Sequence, residues 1–139
     1  MLDFLTFISQ EWLLVSLLLL FIYAFVWRES KKGGQSVSVH QLTRMVNADE
    51  AVLLDIRDAK EFGTGHIAGS LSIPYSKLQT RLSELNAHKD KAIILIDKYG
   101  QQTGTAGKEL SKAGFRPARL QGGINEWQVN NLPVVRKDS

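Results

Sequence analysis

Residues 12–27, WLLVSLLLLFIYAFVW, carry no charge and a single small polar side chain, Ser16. As a helix this run spans roughly 24 Å, a little less than a hydrocarbon core of about 30 Å. Extending it back through Ile8, Phe7 and Leu5 supplies the missing length. Trp12, Tyr23 and Trp27 suit the membrane interfaces. A helix apolar on every side needs lipid or a large protein around it, and a chain of 139 residues is not a large protein. A cleaved signal peptide would begin with basic residues. Here the leading residues include Asp3 and Glu11, and the apolar run ends without a small-residue cleavage pattern. The pattern predicts one transmembrane helix over about residues 5–27, within an N-terminal segment 1–27.

The flanks set an expected orientation. Arg28, Lys31 and Lys32 come after the apolar run, and no basic side chain precedes it. The positive-inside rule then places the N-terminus outside and the rest of the chain in the cytoplasm, as a single-pass protein of the cytoplasmic membrane. RESKKGGQ (residues 28–35) is polar and holds a Gly pair, so residues 28–36 are predicted to be a tether. Its eight quoted residues reach at most roughly 26–29 Å when extended, which keeps residues 37–139 close to the bilayer.

Beyond the tether, short apolar runs alternate with amphipathic stretches. Strands are predicted at 36–39, 51–54, 71–73, 92–96 and 116–120. Helices are predicted at 40–47, 58–62, 76–85, 103–113 and 124–129. Leu42, Met45 and Val46 share one helical face, and Leu78, Leu82 and Leu85 another. Asp58 stands where an N-cap belongs, Pro74 stops a strand, and Gly114 stops a helix. Residues 92–96, AIILI, are apolar throughout, as a strand covered on both faces should be. Alternating strands and helices imply an α/β fold, a parallel sheet flanked by helices, over residues 37–135, with 136–139 as a tail.

The chain has no cysteine, which excludes disulfides, thiolate metal sites and any thiol chemistry of its own. Its net charge is only +3. Residues 1–36 hold three basic and three acidic side chains, so the excess lies in the folded domain. No cluster of Lys and Arg with interleaved aromatics occurs, so no nucleic-acid partner is expected.

Two segments carry a resemblance. LLDIRDAKEFGTGHIAGSLSIP (residues 53–74) and LQGGINEWQVNNLPV (residues 120–134) resemble the signature segments of a rhodanese domain. AGF, at residues 113–115, falls between them where that family has it. The resemblance covers about residues 37–135 and implies a rhodanese-like parallel sheet. In active members, a cysteine at the end of the central strand accepts a sulfane sulfur. Successive backbone N–H groups and the N-terminus of the next helix stabilise the thiolate or persulfide. Counting back without a gap from Gly114 and Phe115, with Leu110 and Gly100 matched, places the cysteine position at Asp97. The vestigial loop is then Lys98, Tyr99, Gly100, Gln101, Gln102 and Thr103. A carboxylate forms no persulfide. Phosphatases on this fold need a cysteine, five loop residues and an arginine, and Thr103 stands in the arginine's place. The Asp97 carboxylate itself is expected to occupy the cradle, as a permanent negative charge among its N–H groups. No cofactor is implied, and no metal-ligand set is visible around Asp97.

Asp55 and Arg57 are expected to order the loop after their strand, with binding of a substrate anion as the other reading. His66, in a Gly-His-Ile turn, is expected to make a hydrogen bond there, and Trp127 to be core. Lys108 and Lys112 lie four apart on a helical face, with Arg116 and Arg119 soon after. They read as a solvated face, or as a contact for an acidic partner or lipid headgroups. Two functions are compatible with these residues. One is a membrane-anchored, catalytically inactive module that binds a membrane or membrane-proximal protein partner. The other is an enzyme, either a sulfurtransferase that borrows a partner's cysteine or another activity at Asp97.

Overall fold

The structure, a computed structural model, describes residues 2–31 and 34–136. It divides after Lys31 into two compact units. The first is a helix, α1 (Leu2–Lys31). Its most apolar 18-residue window has a mean hydropathy of 2.0, none of that window is buried, and the stretch Asp3–Arg28 is 26 residues long. At 1.5 Å per residue that is about 39 Å, long and apolar enough to cross a membrane. The helix runs on past residue 27 into the segment predicted to be a tether. Arg, Glu, Ser and Lys all tolerate helix, and the first glycine comes only at Gly33. Lys32 and Gly33 lie outside the described residues, and Gln35 already belongs to a strand.

The second unit is a five-stranded sheet, β1 (Gln35–Val37), β2 (Ala51–Asp55), β3 (Leu71–Ser72), β4 (Ala92–Ile96) and β5 (Arg116–Leu120). The order is β1-β5-β4-β2-β3, and every pairing is parallel. The helices are α2 (Val39–Asn47), α3 (Ala59–Thr64), α4 (Thr103–Lys112) and α5 (Gly123–Val129). β4 lies at the centre, between β5 and β2. Its Ile94 and Ile96 join one core with Leu42 of α2 and Ile124 and Trp127 of α5. Its Ile93 and Leu95 join a second core with Ala106 and Leu110 of α4, and with Leu78 and Leu85. Alternation along a strand sends successive residues to opposite faces, so a strand with two buried faces must be apolar throughout.

Two predicted elements differ. β1 ends at Val37 instead of residue 39, because Ser38 caps α2. The Gln41 amide donates to Ser38 Oγ at 3.2 Å, and the Ser38 amide donates to Gln41 Oε1 at 2.9 Å. This capping box satisfies two backbone donors at once and starts the helix at Val39. The stretch 76–85 is not α-helical but two 3-10 runs, Tyr75–Lys77 and Gln79–His88. Thr80 donates its hydroxyl to Lys77 O at 2.9 Å, a local bond that competes with regular α-helix. Leu78 and Leu85 are still fully buried there. Asp58 does stand at the N-cap of α3, but its side chain makes no capping bond.

Candidate functional site

β4 delivers Asp97 to the end of the sheet where the strands finish. The loop after it turns sharply into α4, with Gly100 at φ 90°. That conformation is open to glycine and strained for other residues. The turn brings the Gly100 N–H onto Asp97 Oδ1, and the Gln102 N–H donates to Asp97 Oδ2 at 2.7 Å. Thr103, buried, donates its hydroxyl to Gly100 O at 3.3 Å. The carboxylate is thus held on inward-pointing backbone N–H groups at the N-terminus of α4, and Asp97 is 4% exposed. Electrostatically this is a seat for one negative charge, and the protein's own side chain fills it.

The loop is clamped from a second side. The Ile124 amide donates to Asp97 O at 2.8 Å, and the Asn125 amide to Lys98 O at 3.0 Å. These donors are first-turn amides of α5, which have no partner within their own helix. Close approach requires Gly123, at φ 64°, because a Cβ there would collide with the Asp97 and Lys98 carbonyls. The Gly-Gly of GGINEW therefore has a positional meaning. The motif is visible in the sequence; the clamp is not, because it joins residues far apart in the chain.

Asp55 and Arg57 sit beside this loop. Arg57 Nε donates to both Asp55 oxygens, at 3.0 and 3.1 Å, and Nη2 donates to Oδ2 at 2.7 Å. Nη2 also reaches Gly65 O at 2.8 Å, and the Arg57 amide donates to Asp55 Oδ1 at 3.0 Å. Asp55 is fully buried. The pair ties the end of β2 to the turn before His66. His66 Nδ1 lies 2.8 Å from Phe62 O. A carbonyl only accepts, so Nδ1 carries the proton. The imidazole stacks on the Phe62 ring at 3.7 Å between centroids. Its backbone exchanges two hydrogen bonds with Val135, each 2.8 Å.

A cleft of about 420 Å³ opens at the mouth of the cradle. Asp97, Lys98, Tyr99 and Gln102 form one wall, and Asp58, Glu61 and Tyr75 another. Tyr99 is 53% exposed, with Lys98 Nζ 5.4 Å from its ring centre. Burial, reinforced by the neighbouring Glu109 carboxylate that accepts its hydrogen bond, raises the Tyr75 phenol above its ordinary pKa. Among the described residues no group of His, Asp and Glu is placed to hold a metal.

The four basic residues do not form one surface. Lys112 is exposed and Lys108 half-buried on α4. Arg119 is half-buried, donates to Gly34 O at 3.2 Å and packs over Gly104 of α4. Arg116, three residues earlier in the same strand, faces the α2 side and lines a groove with Arg44 and Met45.

Comparison with known proteins places this geometry. The family described as Rhodanese-like domain matches residues 38–130. YibN of Escherichia coli K12 is 39% identical over 98 residues, covering 69% of this chain and 68% of YibN. The thiosulfate sulfurtransferase GlpE of Shewanella oneidensis is 29% identical over 96 residues, covering 68% of this chain and 93% of GlpE. The crystal structure of a rhodanese-related protein from Thermoplasma volcanium superposes with a TM-score of 0.68 at 29% identity, covering 74% of this chain and 99% of that one.

Proposed function

The chain belongs to the rhodanese-like domain family, and from that premise we propose that it is a membrane-anchored binding module without the family's sulfur chemistry. Its α1 holds the domain at the cytoplasmic face of the membrane, where the domain docks a membrane or membrane-proximal protein. One observation carries the reading. The seat that would stabilise a thiolate or persulfide is filled by the Asp97 carboxylate, bound by the Gly100 and Gln102 amides. A carboxylate cannot accept a sulfane sulfur, and its charge repels thiosulfate from the same amides. What this pole of the domain still offers is a surface. The exposed Tyr99 beside an acidic cleft has the character of a docking anchor.

The cytoplasmic placement rests on Arg28, Lys31 and Lys32 after the helix against Asp3 and Glu11 before it. Protease added to spheroplasts should spare residues 34–136, and digestion of the domain from outside would reverse the topology. For the docking itself, the intact chain is cross-linked in membranes, and wild type is compared with Tyr99→Ala. We expect the variant to lose most of a discrete cross-linked product. The same membranes should yield no thiocyanate from thiosulfate and cyanide above the background of a deletion strain. Thiocyanate formation dependent on the protein would favour an enzyme that borrows a partner's cysteine, and would end the binding-module reading.

A further inference from the structure

At the opposite end of the sheet, where the strands start, a groove of about 560 Å³ runs between α2 and the first residues of β1, β4 and β5. Met45, Ala92 and Pro117 contribute apolar surface to it. Arg44 and Arg116 also line it, and both are exposed. Among the described residues neither guanidinium has an ion-pair partner. One carboxylate, Glu50, shares the lining. Lys89 and Lys112 are exposed at the same end, and Lys91 there is paired with Asp49 at 2.8 Å. Asp90, exposed in the loop before β4, is a further acid there. The cleft at the finishing end is lined differently. Around the Asp97 cleft stand Asp58, Glu61 and Asp97 against Lys98, while Arg57 is already paired with Asp55. A parallel sheet necessarily separates the groove from this cleft.

We propose that this groove is a membrane-docking surface, taking the anionic phosphate headgroups of the leaflet that holds α1. Charge complementarity is the first argument: unpaired arginines beside a surface rich in phosphate. Chemistry at the rim is the second. Arginines bordering apolar side chains suit the headgroup boundary, where the stems meet hydrocarbon and the guanidinium groups meet phosphate. Chain length is the third. Four peptide steps join Lys31 to Gln35, a reach of at most about 14 Å. The strand-start end is the end at which the chain enters the domain. With the groove on the bilayer, the Asp97 cleft and Tyr99 point away from it. The inference rests on the membrane-spanning reading of α1 and is independent of any protein partner.

The test uses the purified full chain in nanodiscs, either of phosphatidylcholine alone or of phosphatidylcholine and phosphatidylglycerol in equal parts. Amide hydrogen exchange is read by mass spectrometry. Each basic residue at an anionic surface strengthens docking roughly fivefold. Exchange over residues 44–50 and 112–118 should therefore slow by about that factor or more in the anionic discs only. Arg44→Gln with Arg116→Gln, both surface changes, should remove the difference and leave residues 92–96 as protected as before. High salt should also remove it. Equal exchange in the two discs, or slowing confined to residues 98–102, overturns the proposal. Inorganic phosphate added to the neutral discs should change nothing; slowing by free phosphate would assign the groove to a small anion instead. A chain that fails to enter the discs removes the anchor reading and this inference with it, whereas entry without protection removes this inference alone.

Discussion

The amide of Gln102 donates to the carboxylate of Asp97 at 2.7 Å, and the Gly100 amide occupies the other carboxylate oxygen. Asp97 is 4% exposed, whereas Gly100 is half-buried and Gln102 exposed, so the two donors are only partly screened from water. Asp97→Ala leaves both without an acceptor. We expect a loss of about 1–2 kcal/mol in urea unfolding, near the lower end of the roughly 1–3 kcal/mol that a fully buried stranded donor costs. Asp97→Asn keeps one acceptor and turns an NH₂ toward the other amide, so it should fall between alanine and wild type. An alanine variant as stable as wild type would mean that the loop does not depend on this side chain.

Asp97→Cys places a thiol where the same amides converge. The N–H groups and the α4 N-terminus should favour its thiolate. We expect slow but measurable thiocyanate formation from thiosulfate and cyanide, with none from wild type. A folded, inactive variant would show that the cleft has lost its fit for thiosulfate along with the nucleophile.

Arg57→Ala should be among the most destabilising single changes. It strands the fully buried Asp55 carboxylate and frees Gly65 O. Breaking a buried pair on one side costs about 3–5 kcal/mol. Arg57→Lys should recover only part of this, because a lysine cannot reproduce the forked contact. Chemical denaturation of the three proteins decides the order.

Gly123→Ala sets a Cβ against the Asp97 and Lys98 carbonyls at a residue with φ 64°. The first turn of α5 must then withdraw, losing the Ile124 and Asn125 bonds to the loop. We expect a loss of about 2 kcal/mol or more and faster amide exchange at Ile124 and Asn125. Unchanged exchange there would show that the clamp does not hold the loop.

Tyr75 should titrate above the usual phenol value of about 10, because burial and the Glu109 carboxylate both disfavour the phenolate. A pKa raised in the folded state stabilises it below the unfolded value. That contribution disappears as pH climbs through the raised value. Tyr75→Phe should therefore flatten the alkaline decline in stability, as read from denaturation at stepped pH. An equally steep decline in the variant would assign it to other groups.

Much of this architecture is legible in the residues, for identifiable reasons. Residues 92–96 can only be a strand with two covered faces, and residues 12–27 only an unusually apolar helix. An ungapped count back from Gly114 and Leu110 leads to Asp97, and β4 does end immediately before it. What the residues hide is partly local. Ser38 and Gln41 spell a capping box, and that signal ends β1 before Val39. Arg116 and Arg119 are neighbours in sequence, yet an odd separation along a strand sends them to opposite faces. The rest is long-range. Nothing near Asp97 announces that amides from Ile124 and Asn125 will hold its loop, nor that Arg57 will reach Gly65. Hydrophobic periodicity also does not distinguish α-helix from 3-10 turns over Gln79–His88, because both bury Leu85.

The pairing of β1 with β5 has a consequence for the newborn chain. Gln35 is partnered by Ala118, which the ribosome adds 83 residues later. At roughly 5–20 residues per second, that is a delay of about 4–17 s. During it the helix segment is already made, and the first strand has no neighbour to hydrogen-bond. Three residues of strand, closed promptly by the Ser38 cap, give little template for a wrong partner in that interval. Synthesis from the N-terminus thus delivers the apolar helix first and the strand that completes the sheet near the end. A chain cut short before residue 116 leaves β1 at the edge with nothing to join.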